Sequence, residues 1–99
     1  MRLSQYQQEE IRRAVRDIAG PEAQVRLFGS RLDDSARGGD IDLLVELPGE
    51  VDDEVALACK VAGRISHRLG GQKVDVLIAA ANSRLAPVHQ VARTEGVTL

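Results

Sequence analysis

Two apolar runs separated by a short polar loop constrain this chain more than any other feature. The first, Val25-Arg-Leu-Phe28, ends in Gly29-Ser30, and the second opens with Asp40-Ile41-Asp42 and reaches Leu47. Both are rich in Val, Leu and Ile and bounded by glycines, which is the composition of short strands. Side chains alternate along a strand, so Asp40 and Asp42 emerge on one face with about 6–7 Å between their backbones. Two carboxylates that close repel each other and resist joint ionisation unless a cation lies between them. The pair is therefore a candidate metal site.

The flanking segments supply the remaining framework. Ser4-Gln-Tyr-Gln7 has the form of a capping box, and Leu3, Ile11, Ala14, Val15 and Ile18 follow near-helical spacing up to Gly20-Pro21, which predicts a helix over about 4–19. Gly29 permits an unusual backbone angle, and Ser30 caps the turn or short helix that begins there. The loop 31–39 holds two arginines, two aspartates and Gly38-Gly39, and Pro48-Gly49 ends the second strand. Val51, Val55, Ala58, Ala62, Ile65 and Leu69 mark one apolar stripe behind Asp52-Asp53, predicting a helix over about 52–69. Val74 to Ile78 reads as a third strand, interrupted by Asp75. A last helix is expected over about 83–95, with Leu85, Val88 and Ala92 facing inward.

These elements assemble in one economical way. The first two strands, joined by a short loop, pair antiparallel, whereas the third follows a crossover helix and runs parallel to the second. The expected architecture is α+β: a three-stranded mixed sheet in order 1-2-3, backed by about four helices. Gly29-Ser30, Asp40, Asp42 and Asp75 then share one rim.

Composition bounds the partners. Ninety-nine residues lead us to expect a single domain over 1–99, with a small core and no second domain to hold a substrate. A formal net charge of −2 generates no field toward nucleic acid or an anionic membrane, so neither is expected as a partner. The one cysteine, Cys59, allows no internal disulfide and fits a reducing compartment. No apolar stretch reaches membrane-spanning length and no signal core opens the chain, so we expect a cytoplasmic protein.

Three carboxylates opposite a Gly-Ser turn suit phosphoryl or nucleotidyl transfer with Mg²⁺, a hard cation that takes oxygen ligands. Two ions about 3.5–4 Å apart can steady the attacking and leaving oxygens of an in-line displacement. In this reading Asp40 and Asp42 ligate both ions, and Asp75 holds the ion that activates the attacking hydroxyl and is placed to accept its proton. Gly29 lets backbone amides approach a phosphate, Ser30 adds a hydroxyl donor, and Arg31 and Arg37 are the nearest cations for a triphosphate tail.

Phe28-Gly-Ser30 followed by Gly39-Asp-Ile-Asp-Leu-Leu-Val45 resembles the signature of the minimal nucleotidyltransferases, the smallest members of the DNA polymerase beta-like superfamily. Val74-Asp-Val-Leu-Ile78 is similar to that family's third-carboxylate strand, and Ser83 to Leu99 to its closing helix and tail. The resemblance covers nearly the whole chain and implies the nucleotidyltransferase fold, with ATP as substrate. It also implies a helical HEPN-domain partner in a toxin–antitoxin pair, inactivated by transfer of AMP to a tyrosine hydroxyl. Two departures stand out. The stretch between Ser30 and Asp40 is about one residue short of the family pattern, and Leu32-Asp33-Asp34 replaces the usual small-Arg-Gly run, with Arg37-Gly38 a few residues later. Two acids there are expected to repel a triphosphate.

Other functions fit the same residues. The fold could serve as a non-enzymatic module that occludes a protein partner, or transfer a nucleotide to a small molecule or an RNA end. His67 and His89 lack a partner histidine at metal-ligand spacing and are expected on the surface or rim. Cys59 is expected to be a small buried hydrophobe, and Tyr6 to pack or lie exposed near the first helix start.

Overall fold

Ser4 starts the first helix as its sequence pattern predicts. Its hydroxyl accepts the Gln7 N–H at 3.1 Å while its own N–H donates to Gln7 Oε1 at 2.9 Å, satisfying two amide donors that a helix start leaves open. In the computed structural model, which describes residues 3–32 and 39–99, this helix, α1, spans Gln5–Ala19. It leads into strand β1, Gln24–Phe28, and a short 3₁₀ helix, Gly29–Leu32. Beyond the loop follow β2 (Ile41–Glu46), α2 (Glu54–Arg68), β3 (Val74–Ala79), α3 (Pro87–Glu95) and β4 (Val97–Thr98). The fold is α+β, as expected, and among the described residues no helix is long and apolar enough to cross a membrane.

The sheet order is β3-β2-β1-β4, with β1 antiparallel to β2 and β3 parallel to β2. The expected 1-2-3 core is present, but among the described residues the sheet has four strands, not three. β4 pairs antiparallel with β1 through Arg26↔Thr98 and Leu27↔Val97, and the Leu99 N–H donates to the Val25 carbonyl at 3.0 Å. A two-residue strand is too short to leave a period in the sequence. Among the described residues, the helix tally of about four resolves into three α-helices and the 3₁₀ turn.

Period-two alternation sorts the strands between two unequal faces. Val25 and Leu27 of β1, Ile41, Leu43 and Val45 of β2, and Val74 and Ile78 of β3 enter the main core with Ile11, Ala14 and Val15 of α1 and Val61 and Ile65 of α2. Arg68 of α2 pairs with Glu10 and Asp17 of α1, each at 3.4 Å, at the margin of that layer. The other face has a much smaller core, in which Leu44 and Ala79 meet Ala92 of α3, with Phe28 and Leu77 at its border. There the Glu46 carboxylate lies between Arg26 of β1 (2.6 Å) and Arg93 of α3 (3.1 Å).

α3 departs most from its sequence pattern. It begins at Pro87 rather than near Ser83, because the Ser83 hydroxyl accepts the Ala80 N–H at 2.7 Å and donates to the Glu54 carboxylate, holding the start of 83–86 out of the helix. Ala92 is buried as expected, but Leu85 and Val88 are 44% and 43% exposed. In place of a side-chain cap, His89 Nδ1 accepts the Ala86 N–H at 3.0 Å. That fixes the proton on Nε2, which donates to the Ile78 carbonyl of β3 at 3.1 Å. Cys59 is exposed, against expectation, because it lies beside the apolar stripe of α2 and not on it; Tyr6 is exposed as well.

The unequal faces predict unequal sensitivity. Leu43→Ala, emptying the main core, should cost about 2–5 kcal/mol in chemical denaturation, whereas Val88→Ala should stay within about 0.5 kcal/mol of wild type.

Candidate active site

On the face covered by α3, Phe28 of β1 pairs with Asp42 of β2, and Asp42 pairs with Asp75 of β3. The alternation that buries Ile41 and Leu43 under α1 and α2 forces the intervening Asp42 onto this opposite face, and the parallel register sets Asp75 beside it. Asp42 is half-buried and Asp75 exposed. Asp40 lies one residue before β2 rather than inside it, a shift of one position from the expected strand start.

Gly29 fits this row because it has no side chain. Its φ of +80° lies in the left-handed region, and a Cβ placed there would overlap the Asp42 carboxylate, coming within 3.2 Å of Cγ. The turn after β1 thus closes directly against Asp42. Ser30 is the second residue of that turn.

The electrostatics follow from the placement. Burial, then the charges of Asp75 and Asp40, push the Asp42 carboxyl above the usual carboxylate range, while the Lys73 ammonium opposes the shift. Lys73 Nζ stands 3.4 Å from Asp40 Oδ2. The sequence signal for Lys73 is its spacing of two from Asp75, since an extended chain brings both to one face. Arg31 reaches across the opening of the loop: its Nη2 donates to Gln72 Oε1 at 3.2 Å and to the Gly39 carbonyl at 3.4 Å. Gln72 Nε2 donates to the same carbonyl at 3.4 Å. Arg31 and Gln72 therefore brace the backbone just before Asp40.

The structure thus brings Gly29, Arg31, Asp40, Asp42 and Asp75 to one end of the sheet. Arg37, Asp33 and Asp34 lie outside the described residues. Among the described residues no three carboxylate, imidazole or thiol groups are already clustered as a metal cage. The donors are nonetheless all hard oxygens, and mutual repulsion at Asp42 is what a cation would relieve, so the set fits Mg²⁺ better than a softer metal.

The family model for the nucleotidyltransferase domain matches residues 8–95. The chain belongs to that family. Among solved structures it is similar to the toxin–antitoxin MntA–HepT, at 24% identity and a TM-score of 0.65 over 96% of this chain and 70% of that one. A tri-AMPylated Shewanella oneidensis HEPN toxin in complex with MNT antitoxin gives 24% identity and a TM-score of 0.66, covering 97% and 71% of the two chains. A toxin–antitoxin with AMP-PNP gives 26% and 0.66, covering 91% and 69%. No protein of curated function matches the sequence.

Two variants test the crowding at Asp42. A carboxyl whose folded pKa is raised binds its proton more readily in the fold than in the unfolded chain. Its ionised form therefore costs stability at pH values above the folded pKa, and that cost fades as pH falls through the folded pKa toward the ordinary carboxylate range. Asp42→Asn should raise the melting temperature of the metal-free protein at neutral pH, and the gain should disappear on acidification. Gly29→Ala should lose about 1–2 kcal/mol in denaturation from the left-handed backbone alone, and should turn the Asp42 carboxylate out of its place.

Proposed function

We propose that this chain transfers AMP from ATP to a hydroxyl on a HEPN-type toxin, acting as the antitoxin of the pair. The observation that carries the reading is the row in which Asp42 and Asp75 stand side by side with the Gly29 turn closed against Asp42. Membership of the nucleotidyltransferase domain family supports the reaction class. Similarity to an MNT antitoxin complexed with an AMPylated HEPN toxin, and to a toxin–antitoxin with AMP-PNP, supports the acceptor and the nucleotide.

In this reading Asp40, Asp42 and Asp75 would hold Mg²⁺, which when bound supplies charge neutralisation at the phosphates and lowers the pKa of the acceptor hydroxyl. The backbone of the Gly29 turn and the Ser30 hydroxyl receive phosphate oxygens, and Arg31 and Arg37 serve the triphosphate tail. The acceptor oxygen forms a bond to the α-phosphorus of ATP as the bridging bond to the β-phosphate breaks. Pyrophosphate leaves, and the hydroxyl proton passes to Asp75. The brace from Arg31 and Gln72 to Gly39 keeps Asp40 at the level of Asp42 and Asp75 during this exchange.

The roles of the aspartates separate in experiment. With ATP, Mg²⁺ and the HEPN partner, wild type should add AMP to the partner, read by intact-protein mass. Asp42→Asn should lose both Mg²⁺·ATP binding and transfer. Asp75→Asn should keep binding and lose transfer by about 10²–10⁴ in rate. An unmodified partner with wild-type protein would favour the alternative, a module acting by occlusion, and full activity in Asp75→Asn would remove that residue from the site.

A further inference from the structure

Asp40 is not left bare beside Asp42 and Asp75. Its Oδ2 faces the Lys73 ammonium at 3.4 Å, and the backbone holds the two residues together, since the Ile41 N–H donates to the Lys73 carbonyl at 3.1 Å and Ile41 pairs with Val74 in the parallel register. Continuing that ladder by one step sets Lys73 beside Asp40, and one step the other way sets Asp75 beside Asp42. The end of the sheet therefore carries two rungs on either side of Ile41–Val74, one a carboxylate with an ammonium and the other two carboxylates. We infer that Lys73 is the resident counter-cation of this site, occupying Asp40 in the metal-free protein and competing with a divalent cation for the same carboxylate oxygen.

Two observations carry the inference, which rests on the carboxylate site proposed above. First, the contact is direct and made to one of the candidate ligands. Second, the pair can open cheaply, because 71% of the Lys73 side chain and 41% of the Asp40 side chain are exposed and the ammonium sits on a flexible four-carbon stem. A divalent ion entering between the rungs must take Asp40 from Lys73, and an exposed ion pair yields to a doubly charged competitor.

The competition has a sign that a merely structural lysine would not give. Removing a structural ion pair should loosen the site and weaken or leave unchanged its hold on metal, whereas removing a competitor should strengthen it. Wild type, Lys73→Met, Lys73→Arg and Asp42→Asn would be titrated with Mn²⁺ alone, without nucleotide, by calorimetry. Lys73→Met should bind Mn²⁺ about two- to fivefold more tightly than wild type, the size set by an exposed pair. Lys73→Arg, which keeps the charge, should stay close to wild type, and Asp42→Asn should lose binding. The melting temperature of metal-free Lys73→Met should fall while its rise on adding Mn²⁺ exceeds that of wild type. Equal or weaker Mn²⁺ affinity in Lys73→Met would overturn the inference while leaving the carboxylate site intact. Failure of wild type to take up Mn²⁺, or undiminished binding in Asp42→Asn, would overturn the carboxylate site and the inference with it.

Discussion

The alternation of β2 is the constraint on which the rest of the molecule depends. Ile41, Leu43 and Val45 are all buried beneath α1 and α2, and that burial fixes the register of the strand, because a slip of one residue would drive Asp42 and Glu46 into the apolar layer. The same register delivers Asp42 to the opposite face, next to Asp75 and under the Gly29 turn. Core and site are thus two readings of one strand, and the apolar side gives the polar side its precision.

Much of this was legible in the residues themselves. The Gly29-Ser30 turn, the paired aspartates and the helix bounded by Ser4 and Gly20 each follow from local chemistry, and the parallel placement of β3 follows from the length of its crossover. What escaped were features that only tertiary contact creates. β4 exists because Val97 and Thr98 find the free edge of β1, not because two residues prefer to be extended. α3 starts late because the Ser83 hydroxyl is engaged with Ala80 and Glu54. Cys59 was expected to be buried from its neighbours in sequence, but the stripe of α2 passes beside it.

Within the site the sequence pointed to the anions and missed what surrounds them. Asp40, Asp42 and Asp75 announce themselves by spacing, while Lys73 and Gln72 look like an unremarkable turn before a strand. Their relevance comes from the parallel register, which sets the residues before β3 against those before β2, and from Arg31, which ties Gln72 to the Gly39 carbonyl. Arg31, expected from its position to serve a phosphate, is thereby also part of the framework that locates Asp40.

The His89 bridge has a consequence for how the sheet ends. An open sheet exposes unpaired carbonyls and amides along its outer strands, and these invite a stray strand to add on and propagate. Here β3 and β4 are the outer strands, and β4 is only two residues long, offering little template. β3 is six residues long, but the His89 imidazole draws the Ile78 carbonyl into a bond with α3 and Asp75 sets a charge near its start. One histidine outside the carboxylate row thereby helps to keep this sheet from growing into its neighbours.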